Sequence, residues 1–256
     1  MEIIFIVLIL VLISLINAIN FYLLVDKKIH LKEAFKLTSV ATALNRILFT
    51  GSGYLTSSYF CRNKNLSPSK ALSAFFLLEF FPISLWLILG VYFGGKLAIK
   101  VPLVFIGILS ILVIVNWRKK NRCILLVKNI LEHFREMRKG FFLIIPFVIF
   151  NITLLVTYYF FLFKLFSFQP DILSAIKIIS LSFTLGYLSP APGGLGFKEA
   201  GLVFLLMENG FAFSSAMLLA ILDRVLITAF WAILASLLGF DLIKEEIKKR
   251  FKRKNG

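Results

Sequence analysis

Residues 3–25 and 140–163 contain no charged side chain. About 20 apolar residues cross the hydrocarbon core of a bilayer as a helix, so each run is long enough to span. Lipid offers no water to pair with exposed backbone groups, which leaves the α-helix as the stable form of such a run. The composition follows the same constraint: 59% of residues are apolar and 16% charged, against about 25% charged in an ordinary globular domain. The reading is an all-α integral membrane protein, a polytopic helical bundle of about seven spans with one or two re-entrant broken-helix segments.

The formal charge of +16 would suit nucleic acid if it lined one soluble face. Instead the basic residues fall between apolar runs and at the C-terminus, as in membrane loops, so nucleic acid is not expected as a partner. The run 3–25 leads into DKKIHLKEAFK, where Lys27, Lys28, Lys32 and Lys36 mark the inside. It lacks a basic n-region and a clear cleavage site, and is expected to stay as an anchor. The stretch 38–60 is interrupted by Gly51-Ser52-Gly53 and ends at the equally basic CRNKNLSPSK. A single crossing would put one basic flank outside, so a re-entrant hairpin turning at Gly51 and Gly53 is expected.

Further spans are expected at 70–93, 101–117, 140–163, 172–189 and 212–240, with an interfacial helix over 121–139. The short apolar piece 197–207 reads either as a crossing or as half of a second re-entrant loop. With it counted as a crossing, the N-terminus lies outside and the C-terminus in the cytoplasm of a plasma-membrane protein. Residues 1–243 form the membrane domain and 244–256, KEEIKKRFKRKNG, a basic cytoplasmic tail. Each basic residue beside anionic inner-leaflet lipid is worth about 1 kcal/mol, which would hold that tail to the surface. Cys61 and Cys123 form no CxxC or Cys/His cluster, so neither a metal nor another cofactor is expected.

Residues 188–201, LSPAPGGLGFKEAG, interrupt the second half as GSG interrupts the first. The motif matches neither GxGxxG nor GxxxxGK[ST]. As a plain turn, Pro190 and Pro192 end one helix, and Gly193, Gly194 and Gly196 bend the backbone. As a site, Lys198 beside the free N–H groups of a new helix favours an anion such as a lipid phosphate, and Glu199 suits the same first turn as a cap. Paired interruptions in corresponding halves point to a binding site near the bilayer midplane.

Ionisable residues inside spans are costly and mark function or buried pairing. Arg46, Glu79, Lys177, Asp223 and Arg224 qualify. Arg224, mid-span, has two readings of equal weight: an ion pair with Glu79 or Glu199, or contact with a lipid phosphate. Asp223 points to a neighbouring face and serves a different helix, and Lys177 lies close enough to its span's end to snorkel. Asn116 and Asn151 read as interhelical hydrogen-bond glue, and Trp117, Tyr158, Tyr159 and Tyr187 as an interfacial aromatic belt. No catalytic residue is assigned. Ser52 has no base within its span, HExxH is missing, and His30 and His133 lie in loops.

The run PAPGGLGFKEAGLVFLL resembles the signature of the lysylphosphatidylglycerol synthase transmembrane (flippase) family. The likeness extends to RNKNLSPSKALSAFFLLEFF, which contains Glu79, and to Arg224 in LDRVL. The chain departs from the pattern where Arg46 is followed by GSGYLTSS, without the family's acidic residue and later arginine. Phe80 also stands where an arginine commonly follows the glutamate. The resemblance implies a cavity that binds a phospholipid or lipid-linked head group through Lys198, Glu199, Arg224, Glu79 and Arg46 and moves it between leaflets. It implies the membrane part alone, without the aminoacyl-transferring domain of bifunctional relatives. The competing expectations are an accessory subunit for a separate transferase and an intramembrane lipid-modifying transferase.

Overall fold

The structure, a computed structural model, describes residues 1–48, 51–61, 66–117, 132–133, 136–189 and 191–254, with side chains omitted at 94–117, 188, 192, 241–243 and 245–254. The described residues form helices joined by short turns, with no strand among them: α1 at Glu2–Leu24, α2 at Leu31–Ile47, α3 at Ser52–Cys61 and α4 at Pro68–Trp117. Then follow α5 at Arg138–Leu165, α6 at Ile172–Leu188, a single 3₁₀ turn at Pro192–Gly194, α7 at Phe197–Glu208 and α8 at Phe213–Lys254. Local chemistry sets several boundaries. Asp171 caps α6 by accepting from the N–H groups of Leu173 and Ser174, both at 3.0 Å, which satisfies two donors the helix leaves open. Asp26 and Lys27 adopt left-handed backbone, at φ 55° and 57°, and stop α1.

Among the described residues, four stretches are long and apolar enough to cross a membrane: Glu2–Leu24, Pro68–Phe93, Arg138–Leu165 and Phe213–Phe240. Their contacts define two ends of the bundle. At one end Lys70, at the start of α4, pairs with Asp26 after α1 at 2.7 Å and with Glu136 before α5 at 3.5 Å. This is the end at which the basic 26–36 segment lies. At the other, Glu2 pairs with Lys164 at 3.3 Å, and the rings of Phe168 and Phe211 lie 4.9 Å apart.

Each of the two interrupted segments folds as a helical hairpin. From the basic end α2 runs inward and α3 returns antiparallel, with Ser57 Oγ donating to the Leu37 carbonyl at 3.0 Å. Gly53 packs so tightly on the Ala41 carbonyl that a Cβ there would collide with it. From the opposite end α6 runs inward and α7 returns, Gly186 lying against Lys198 and Gly201 against Ser182. The tips meet inside the bundle, where a Cβ placed on Gly193 would lie 3.5 Å from Arg46 Cα. Lipid tails are as apolar as leucine, so close backbone approach and hydrogen bonds must hold such helices together.

The segments divide differently from the sequence expectation in two places. Residues 172–189, expected as a span, pair instead with 197–207 as arms of one hairpin, the second of the two readings left open for 197–207, because the turn between them reverses the chain inside the bundle. Residues 70–93 and 101–117 run as one helix, α4, without a turn at GGKLAIK; glycine costs a helix about 1 kcal/mol but does not forbid it. Most of the expected interfacial segment 121–139, with Cys123, lies outside the described residues.

Candidate functional site

The 188–201 motif turns on three left-handed glycines, with φ of 56° at Gly193, 73° at Gly194 and 83° at Gly196. At Gly194 there is also no room for a side chain, because a Cβ would sit 2.7 Å from the Gly186 carbonyl oxygen. The loop is tied down from α8: Arg224 Nη1 donates to the Gly193 carbonyl at 2.9 Å and reaches Glu199 Oε1 at 3.4 Å. Glu199 Oε2 in turn accepts from the Gly196 N–H at 2.7 Å. Of the two partners expected for Arg224, the structure selects Glu199, which also caps α7 as a first-turn acid should. Pro192 opens the 3₁₀ turn, and Pro190 lies outside the described residues.

One residue back on each helix lies a second pair. Lys198 Nζ meets Asp223 Oδ2 at 2.8 Å, with side-chain exposures of 8% and 1%. Tyr158 and Tyr159 donate their hydroxyls to the two oxygens of Asp223, at 3.0 and 3.2 Å. The Lys198 ammonium also sits 4.6 Å from the centre of the Phe183 ring, a favourable place for a cation. The sequence reading had separated these groups, giving Lys198 to a head group, Asp223 to another helix and the tyrosines to an interfacial belt. Tyr158 and Tyr159 are instead fully buried, because Asp223 needs donors where water is absent. Two adjacent charged positions on each helix thus interlock: Lys198 and Glu199 of α7 hold Asp223 and Arg224 of α8, respectively.

Beside this clamp lies a cavity of about 140 Å³. Arg46 from α2 and Glu79 from α4 line it, with Tyr54 of α3, Tyr187 of α6, and Trp86 and Trp231 of α4 and α8. Tyr54 donates its hydroxyl to Glu79 Oε1. Asn151 donates to Asn17 at 2.7 Å across α5 and α1, the interhelical bond expected of it, and both line the same cavity. The tip of the first hairpin is preset by Asn45, whose Oδ1 accepts from the Gly51 and Gly53 N–H groups at 3.0 and 2.8 Å. Arg46 differs from the other interior cations: its Nε is buried and has no hydrogen-bond partner among the described residues. Tyr187, expected in an interfacial belt, faces this cavity. Lys177 is half-buried on α6 and lies outside it. The described residues hold no cluster of three His, Cys, Asp or Glu suited to a metal ion.

Residues 1–235 match the family described as the lysylphosphatidylglycerol synthase TM region. The chain belongs to that family. The matched stretch contains both hairpins, the double clamp and every cavity residue named above. Membership makes this a membrane protein tied to lipid modification or flipping. No curated protein and no solved structure matches the chain. Membership and the spanning helices agree on the class; the pairings that build the site come from the packing.

Proposed function

We propose that this chain moves a phospholipid or lipid-linked head group between the leaflets of the plasma membrane, through the cavity lined by Arg46 and Glu79. On this reading the α2–α3 and α6–α7 hairpins are re-entrant segments entering from opposite sides, with the cavity beside their meeting tips. The tail after residue 243 lies on the cytoplasmic side against anionic lipid. Arg46 carries the proposal, as a half-buried guanidinium that lines the cavity and makes no ion pair with another described residue. A charge at the bilayer centre costs between about 2.5 and 17 kcal/mol depending on how far water and lipid follow it. A cavity charge that offsets even about 4 kcal/mol of that cost speeds crossing roughly a thousandfold. Arg224, Glu199 and Lys198 serve the same end by holding the second hairpin in place, since their own charges are already matched.

The experiment is reconstitution of the purified chain into vesicles with head-group-labelled phospholipid in one leaflet, followed by quencher accessibility over time. Wild type is expected to equilibrate the label while Arg46→Gln and Arg224→Ala do not. Normal crossing in both variants sinks the site. No crossing by wild type for anionic, zwitterionic and lipid-linked head groups alike replaces the proposal with an accessory role beside a separate transferase.

A further inference from the structure

The cavity presents two unlike charged groups that are not closed on each other. The interior ion pairs among the described residues are Lys198–Asp223 and Arg224–Glu199, and Arg46 and Glu79 belong to neither. Two buried opposite charges normally collapse into contact, since an unmet charge in a low-dielectric interior is costly. Here each is held back by its own helix. Arg46 sits on the last turn of α2, beside the packed tip of the second hairpin. Glu79 is turned on α4 by the Tyr54 hydroxyl, which occupies one oxygen. Among the described residues no donor meets the other oxygen, and Arg46 lines the cavity without an acidic partner.

The complement of this pair is a ligand with an anion and an N–H cation on one short linker. We propose that the cavity is a two-point receptor for a zwitterionic phospholipid head group, its phosphodiester on Arg46 and its primary ammonium on the Glu79 carboxyl beside Tyr54. The proposal rests on the lipid-moving reading and names the substrate class for it. The cavity's volume of about 140 Å³ is room for a few waters, enough for an ethanolamine-sized group. A primary ammonium matches Glu79 because it donates hydrogen bonds; a quaternary ammonium has no N–H to give. A glycerol head group brings the phosphate but leaves Glu79 unanswered. Tyr187, Asn17 and Asn151 supply the polar wall around the linker.

Trp86 and Trp231 line the cavity, so their fluorescence reports occupancy without any crossing. Purified protein in detergent is titrated with short-chain phosphatidylethanolamine, phosphatidylglycerol and phosphatidylcholine. Saturable change is expected with the ethanolamine lipid, at affinity at least about tenfold above the other two, because a buried charge left unanswered weakens binding by that much or more. Glu79→Gln is expected to erase the preference for ethanolamine over glycerol while phosphate-dependent binding persists. Equal wild-type affinity for all three lipids overturns the proposal whether or not any variant folds, as does a preference that Glu79→Gln leaves intact. Preferential binding without vesicle crossing upholds the receptor and overturns translocation, and crossing without preference does the reverse.

Discussion

Lys198 and Asp223 meet at 2.8 Å inside the bundle, and the residue that follows each of them forms the neighbouring Glu199–Arg224 pair. Two adjacent residues of α7 are thereby matched to two adjacent residues of α8 with the order of charge reversed. Sliding the hairpin by one residue would set like charge against like. The arrangement fixes the register of the α6–α7 hairpin on α8, and with it the position of the loop that touches Arg46.

Removing one member of the inner pair is expected to destabilise the fold severely. Asp223→Asn leaves the Lys198 charge buried and sets an amide NH2 in place of one of the two oxygens that accept from Tyr158 and Tyr159, a loss of about 3–5 kcal/mol. The double change Lys198→Met with Asp223→Asn removes both charges while keeping the same amide beside the tyrosines, and recovers most of it. Unfolding midpoints in detergent for the three proteins check this. If the double variant is as unstable as Asp223→Asn, the uncompensated charge is not the cause.

Gly194 and Gly196 separate backbone strain from crowding. A Cβ on Gly196 meets open space, so Gly196→Ala carries only the backbone penalty of its φ 83°, ψ −44° conformation, about 1–3 kcal/mol. Gly194→Ala adds a collision with the Gly186 carbonyl and is expected to cost distinctly more. Equal losses in thermal midpoint would mean the loop is not held against α6.

The hairpin reading makes a prediction about sidedness. With native cysteines replaced, Lys28→Cys and Ser67→Cys should react with an impermeant thiol reagent from one side of sealed vesicles. Gln169→Cys and Glu208→Cys should react from the other. Labelling of Lys28→Cys and Ser67→Cys from opposite sides would mean that α2–α3 crosses the membrane.

At the basic end, the His133 hydrogen bond first, and the Lys70 charge after it, hold the Glu136 carboxyl below its usual range. A depressed carboxyl contributes stability that is complete above its unfolded value of about 4.3 and lost as pH falls through the folded value. Wild type should therefore lose midpoint temperature more steeply than Glu136→Gln between about pH 5 and pH 3. Parallel curves would show that the Lys70 cluster is held by Asp26 alone.

Much of this architecture is legible from local chemistry. Uncharged runs, basic flanks and the breaks at Gly51 and Gly193 each act through residues adjacent in the chain, so 3–25, 140–163 and both interruptions stand where the sequence places them. Even the Glu199 cap follows from its place three residues after Gly196. The partnerships do not follow in this way. Lys198 and Asp223 are 25 positions apart, and Tyr54 and Glu79 as far, on helices whose rotation about their own axes no local pattern states. By itself the sequence determined a helical membrane protein with two broken segments, because lipid forbids the alternatives. Only the tertiary structure decided which buried charges answer one another and that Arg46 and Glu79 are left facing a cavity. That outcome depends on how closely glycine-bearing helices pack and which faces they turn inward.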